Sequence, residues 1–192
     1  GFYDFTARII YKNSRCHEDS PQMRFYEGKL NHLWVDLFII DELPQSKAAE
    51  GFTRLLHKSI YLLAMGHRYH LDFSKYSLFH KLAVGGGSAV GRLVPMKLIF
   101  KMQHAAALKD KHGCSSLRYY SNYQPDYLYV TIQKEWCEEI TDIEFEGETL
   151  MASKYAHEVL TWVYGDYMKL PPEAERVPAH STIDIQVFDE EA

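Results

Sequence analysis

His32-Leu33-Trp34-Val35-Asp36-Leu37-Phe38-Ile39-Ile40-Asp41 is the stretch on which the fold reading turns. An almost unbroken apolar run of this length predicts a strand covered on both faces. Asp36 interrupts it. A carboxylate inside such a strand is costly to bury unless it is paired, hydrogen-bonded or bound to a metal. Two readings are open. Asp36 is either a functional carboxylate held rigidly by the strand, or a structural one satisfied by backbone N–H groups or an arginine. Asp41 follows five residues later and reads as a turn residue or a helix cap.

Working outward, residues 5–11 (FTARIIY) carry β-branched and aromatic side chains and predict a strand. Residues 13–21 are polar and read as a loop. Apolar residues recur at helical spacing over residues 47–65, with Gly66 as a stop. Residues 67–91 contain Gly85, Gly86 and Gly87, whose composition predicts a flexible loop. Residues 92–111 predict a second helix, with Pro95 in its first turn and Gly113 beyond its end. Residues 117–123 and 126–133 are Tyr-rich and strand-like. Residues 140–148 predict a further strand, with Gly147 as a turn. Ser153 is placed to cap a helix over residues 154–164, which Gly165 closes, and Pro171 and Pro172 prevent further helix. The acidic end, residues 182–192, is expected to be extended and partly disordered. With no internal repeat and no clear linker, residues 1–192 read as a single α+β domain.

Composition narrows the function. The chain has 192 residues, 46% of them hydrophobic, enough to bury a core. Its net charge is −5 and it has no block of Lys and Arg, which argues against nucleic acid as a partner. Cys16, Cys114 and Cys137 are far apart and form no C-x-x-C pair. That argues against a disulfide framework and for a reducing, cytoplasmic compartment. No apolar run approaches the roughly 18 residues of a membrane span.

Several motifs fall short of a specific chemistry. GGGSAVG is followed by Arg92 and Leu93, where a P-loop requires Lys and Ser or Thr. No G-x-S-x-G nucleophile elbow occurs. His57, His67, His70 and His80 lie near one another in sequence without a zinc-binding spacing, so a histidine-based metal hydrolase is a weak alternative. Tyr164-Gly165-Asp166-Tyr167, with Leu170-Pro171-Pro172 behind it, reads by itself as a packing corner.

Three segments together resemble the LicD family, which includes the fukutin-related proteins. HLWVDLFIIDELP is similar to the family's strand ending in Asp-hydrophobic-Phe-Pro-hydrophobic-Asp, with Ile39 where Pro often stands. HEVLTWVYGDYMKLPPEAER resembles its closing helix and turn, and FTARIIYKNS its strand before a polar loop. The resemblance implies a nucleotidyltransferase-like fold with a mixed sheet and flanking helices. It also implies a phosphotransferase that depends on Mg2+ or Mn2+. Such an enzyme moves phosphocholine, or a related phospho-alcohol, from a CDP-linked donor such as CDP-choline to a glycan acceptor, in lipopolysaccharide or teichoic acid modification.

On this reading Asp36 is a catalytic metal ligand, and Arg8, Lys12, Arg176 and His180 meet substrate. The enzyme works in the cytoplasm, at the inner face of the membrane, without a transmembrane segment. The family's Trp-Asp-Asp-Asp-hydrophobic-Asp segment has no counterpart here, since the chain contains no adjacent Asp pair. Family order places that segment before Gly1. The expectation is therefore a C-terminal portion lacking its N-terminal catalytic segment and two metal carboxylates, inactive in isolation. The competing reading is a non-catalytic module that binds a glycan or a protein through the Tyr-rich segment RYYSNYQPDYLYV, because Tyr offers an apolar face with a polar tip.

Overall fold

In the chain's computed structural model, which describes residues 1–16, 19–74, 76–110, 115–176 and 185–188, the run 32–41 is two strands rather than one. The strands in chain order are β1 (Ala7–Tyr11), β2 (Ser14–Arg15), β3 (Leu33–Leu37), β4 (Ile40–Glu42), β5 (Leu117–Tyr120), β6 (Thr131–Gln133), β7 (Ile140–Phe145), β8 (Glu148–Ser153) and β9 (Gln186–Val187). The helices are α1 (Pro21–Phe25), α2 (Lys47–Ala64), α3 (Leu78–Arg92), α4 (Met96–Ala107), α5 (Lys134–Glu138) and α6 (Ala156–Tyr164). The class is α+β. Among the described residues the pairings β1–β3, β2–β9, β4–β5–β6 and β7–β8 are all antiparallel and form four small sheets, not one mixed sheet.

Asn122 explains the break between β3 and β4. Its side-chain amide donates to the Leu37 carbonyl at 2.9 Å and accepts from the Ile39 N–H at 2.8 Å. One side chain thus takes the place of a neighbouring strand, and the chain leaves one sheet and enters another. The expectation of a strand covered on both faces is corrected at the same place. In the β1–β3 ribbon Ile9 faces Val35, and both are exposed. Side chains alternate across a strand, so Arg8 and Asp36 share the other face.

Helix α2 starts where Ser46 accepts a hydrogen bond from the Ala49 N–H. Its inner face, including Ile60, Tyr61 and Ala64, packs with Phe2, Phe5, Ile99 and Ala106 to form the main core. A smaller core gathers Leu43, Tyr119 and Leu128. The glycine-rich stretch expected to be a flexible loop lies inside α3. A Cβ at Gly91 would stand 1.8 Å from the Leu63 carbonyl oxygen, and one at Gly87 would stand 2.5 Å from the Leu62 side chain. These glycines let two helices approach closely, a packing reason that outweighs their poor helix propensity.

Other boundaries differ more modestly. The helix expected over 92–111 begins at Met96, with Pro95 just before its first turn. Residues Pro125–Tyr129 form a 3-10 turn, and only Thr131–Gln133 of that region pairs as strand. Glu146 and Gly147, with φ of 53° and 84°, make the tight turn of the β7–β8 hairpin. Ser153 accepts a hydrogen bond from the Tyr155 N–H just ahead of α6, and Gly165 closes that helix at φ 72°. At the acidic end, Gln186–Val187 pairs with Ser14–Arg15, while 182–184 and 189–192 lie outside the described residues. Among the described residues no single helix is long and apolar enough to cross a membrane.

Candidate functional site: an arginine shared by two carboxylates

Residues Arg8 and Asp36 stand directly opposite each other in the β1–β3 register. The Arg8 Nε lies 2.9 Å from Asp36 Oδ1, an ion pair without hydrogen-bond alignment. The two outer nitrogens of the same guanidinium clamp Asp4, at 2.9 Å to Oδ1 and 2.6 Å to Oδ2. This fork geometry is the strong form of an arginine–carboxylate contact. Asp4 is held further by the Thr6 N–H, at 2.9 Å. The side chains of Asp4, Arg8 and Asp36 are 3%, 13% and 31% exposed, so the cluster opens to solvent on the Asp36 side. Tyr3 and Trp34 flank the guanidinium at 5.4 and 5.5 Å. Burial works to lower the Arg8 pKa, but hydrogen bonding to Asp4 and the charges of Asp4 and Asp36 outweigh it and raise the pKa.

A cleft of about 270 Å³ adjoins the cluster, lined by Tyr3, Asp4, Thr6, Arg8, Tyr26 and Lys29 among others. Arg8 is common to this cleft and to the ion pair with Asp36. The arrangement can fix a carboxylate in one orientation beside a small polar opening. It does not fit a divalent cation as it stands, because the Arg8 guanidinium already occupies both Asp4 and Asp36. Among the described residues no group of three His, Cys, Asp or Glu side chains is placed to hold a metal ion.

Two of the five residues singled out in the sequence, Asp36 and Arg8, are therefore in contact. Lys12 is exposed in the turn between β1 and β2. Arg176 is exposed and donates its Nε–H to the Pro171 carbonyl at 2.7 Å. His180 lies outside the described residues. Sequence reasoning missed Asp4, although it interrupts the aromatic GFYDF just as Asp36 interrupts its own apolar run. Among the described residues the histidines form no group placed to hold a metal ion. His67 Nε2 lies against the Gly91 and Val94 carbonyls, at 3.0 and 2.9 Å, and His80 pairs with Ser77.

His57 belongs to a buried polar network. Its Nδ1 lies 3.1 Å from Gln103 Oε1 and its Nε2 lies 2.8 Å from the Tyr119 hydroxyl. Gln103 donates its amide N–H to the Ser121 carbonyl, which leaves Oε1 as the acceptor. The proton of neutral His57 is then on Nδ1, and Tyr119 donates to Nε2. Burial pushes the His57 pKa down and the Tyr119 phenol up.

The Tyr-rich segment is divided. Tyr119 is buried, while Tyr123 lies between Phe38, edge-on at 4.6 Å, and Tyr127, tilted at 4.5 Å. Phe38 and Tyr127 are both exposed, so this part forms a small aromatic surface.

Fold and cluster together define a small α+β protein with an arginine-centred ionic site on one face of a two-stranded ribbon. Among curated proteins, the lipopolysaccharide cholinephosphotransferase LicD of Haemophilus influenzae is 28% identical over 190 residues, a match covering 92% of this chain. That match supports membership of the LicD family. The chain spans 66% of the length of that relative. No family model matches the chain. No solved structure matches it.

Proposed function

We propose that the chain is part of a phosphotransferase that moves phosphocholine, or a related phospho-alcohol, from a CDP-linked donor to a cell-surface glycan. The observation that carries this reading is the match, over 92% of the chain, to a lipopolysaccharide cholinephosphotransferase. Phosphoryl-type transfer asks little covalent chemistry of a protein. It asks for alignment of the reacting groups and neutralisation of phosphate charge. Asp36 is the residue of this chain assigned to the reaction. Arg8 is a positioning residue: with both carboxylates on its guanidinium it holds Asp36 still rather than offering a free positive charge. The described residues do not fit Mg2+ or Mn2+, so on this reading the metal of the reaction is held by carboxylates outside them. The isolated 192-residue chain is then inactive. The cytoplasm, at the inner face of the membrane, is the matching location.

The test is release of cytidine monophosphate from CDP-choline, measured with the 192-residue chain and with the protein at the full length of its curated relative. Release by the longer protein alone supports the reading. Turnover by the isolated chain overturns the assignment of inactivity, and no turnover by either overturns the assigned reaction.

A second reading has an observation of its own. Phe38 and Tyr127, exposed on either side of the partly buried Tyr123, form an aromatic surface of the kind that stacks on a sugar ring. A glycan-binding module would lose affinity on Tyr127→Ala without any nucleotide chemistry, which titration with the acceptor glycan measures.

A further inference from the structure

The elbow formed by α3 and α4 has one face that packing does not use. Along α3 and at its C-cap, Phe79, Leu82, Val90 and Leu93 are 76%, 69%, 57% and 84% exposed. Their spacing of three, eight and three residues keeps them on one stripe of the helix. The opposite side of α3 is already occupied, with Gly87 against Leu62 and Gly91 against Leu63. The stripe is therefore surplus to the core. On α4, Leu98 is exposed beside the exposed Lys97 and Lys101.

Charge sharpens the picture. From Leu78 to Ala107 there is no Asp or Glu, while Lys81, Arg92, Lys97 and Lys101 are all present. This local excess of positive charge sits in a chain whose net charge is −5. At the edge of α3, a cleft of about 580 Å³ is lined by Arg68, His70, Ser88, Arg92 and apolar neighbours. Ser88 is 5% exposed and its hydroxyl has no hydrogen-bond partner.

We infer that the α3–α4 elbow is a docking surface for an anionic phospholipid bilayer. An apolar stripe with flanking Lys and Arg and no acids is the make-up of a helix that lies in the plane of a membrane interface. The basic residues add attraction to anionic headgroups. The cleft beside α3 adds Arg68 to this basic edge. Neither helix of the elbow is long enough to span by itself. The 15 residues of α3 reach only about 22 Å, short of the hydrocarbon core, and α4 leaves at a bend of 114°. The inference does not depend on the transferase reading, because its test measures no turnover.

The full chain is sedimented with vesicles of phosphatidylcholine alone and with vesicles that also carry phosphatidylglycerol. Binding is expected to the second and to weaken as salt rises. The double variant Phe79→Ser/Leu93→Ser is expected to weaken binding by at least about tenfold. Lys97→Gln/Lys101→Gln, at exposed positions where folding is not at stake, is expected to cost about fivefold per charge removed. Circular dichroism checks that each variant is folded. Failure to bind either vesicle, equal binding to both, or binding unchanged in both variants would overturn the inference. So would a chain that binds no lipid and forms a dimer which Phe79→Ser/Leu93→Ser dissociates, since a second copy would then cover the stripe.

Discussion

Arg8 pairs with a buried carboxylate and a partly exposed one at once, and the two contacts differ in weight. Replacing Arg8 with Met strands Asp4, whose side chain is only 3% exposed, without its counter-charge. That variant is expected to lose about 3–5 kcal/mol of stability in urea unfolding. Asp36→Asn keeps the Arg8–Asp4 clamp and removes a partner that is 31% exposed, so its cost is expected to be about 1 kcal/mol or less. Equal costs for the two would show that the clamp on Asp4 is not the stabilising contact. Asp36 was legible in the sequence because a lone charge in an apolar run is conspicuous, and an arginine partner was one of the two readings left open. Asp4 follows the same logic but sits in a run too short to stand out. That Arg8 reaches back four residues to Asp4 depends on the path of the chain before β1, which no periodicity encodes.

His57 supplies a second test at this scale. Burial lowers its pKa in the folded state below the ordinary 6.5, against the smaller opposing effects of Gln103 and Asp41. The folded protein therefore binds the proton less readily than the unfolded chain. The stability this contributes is complete above about pH 6.5 and declines as pH falls below that value and the unfolded state takes up protons. Urea midpoints measured from about pH 7 to pH 5 are expected to fall for the wild type and to fall less steeply for His57→Gln. Parallel slopes would show that His57 is not buried in its neutral form.

At the scale of elements, α3 is where sequence and structure part most clearly. Three consecutive glycines weaken a helix locally, and composition alone predicts a loop. Tertiary packing decides otherwise: Gly87 and Gly91 leave the space that the Leu62 side chain and the Leu63 backbone of α2 fill. The expected signature is position-specific. Gly91→Ala sets a Cβ against the Leu63 carbonyl and is expected to destabilise by at least about 2 kcal/mol. Gly86→Ala meets nothing within 4 Å and is expected to stabilise by about 0.5–1 kcal/mol. Thermal unfolding of the two variants reads both signs, and a helix that tolerated Ala equally at both positions would not be packed as described. The split of β3 from β4 was hidden for a related reason. Asn122 lies more than 80 residues away in sequence, and a run of apolar residues cannot show where a distant amide will interrupt its pairing. By contrast α2, the β7–β8 turn at Gly147 and the close of α6 at Gly165 were legible, because a cap, a turn residue and a periodicity each act within a few residues.

For the whole molecule, two surfaces stand out. One side of the β1–β3 ribbon carries the Asp4–Arg8–Asp36 cluster, and the α3–α4 elbow carries an apolar and basic surface. The resemblance carried the functional reading, since the residues alone left Asp36 between a structural and a chemical role. The contact with Arg8 gives Asp36 a structural partner. The catalytic assignment therefore stands on chemistry that stability does not report. The direct measurement is release of cytidine monophosphate from CDP-choline by the protein at its relative's full length, with Asp36→Asn as the variant. The account predicts a loss of at least about a hundredfold in turnover, while the unfolding midpoint stays close to that of the wild type. Turnover that survives Asp36→Asn unchanged would contradict it.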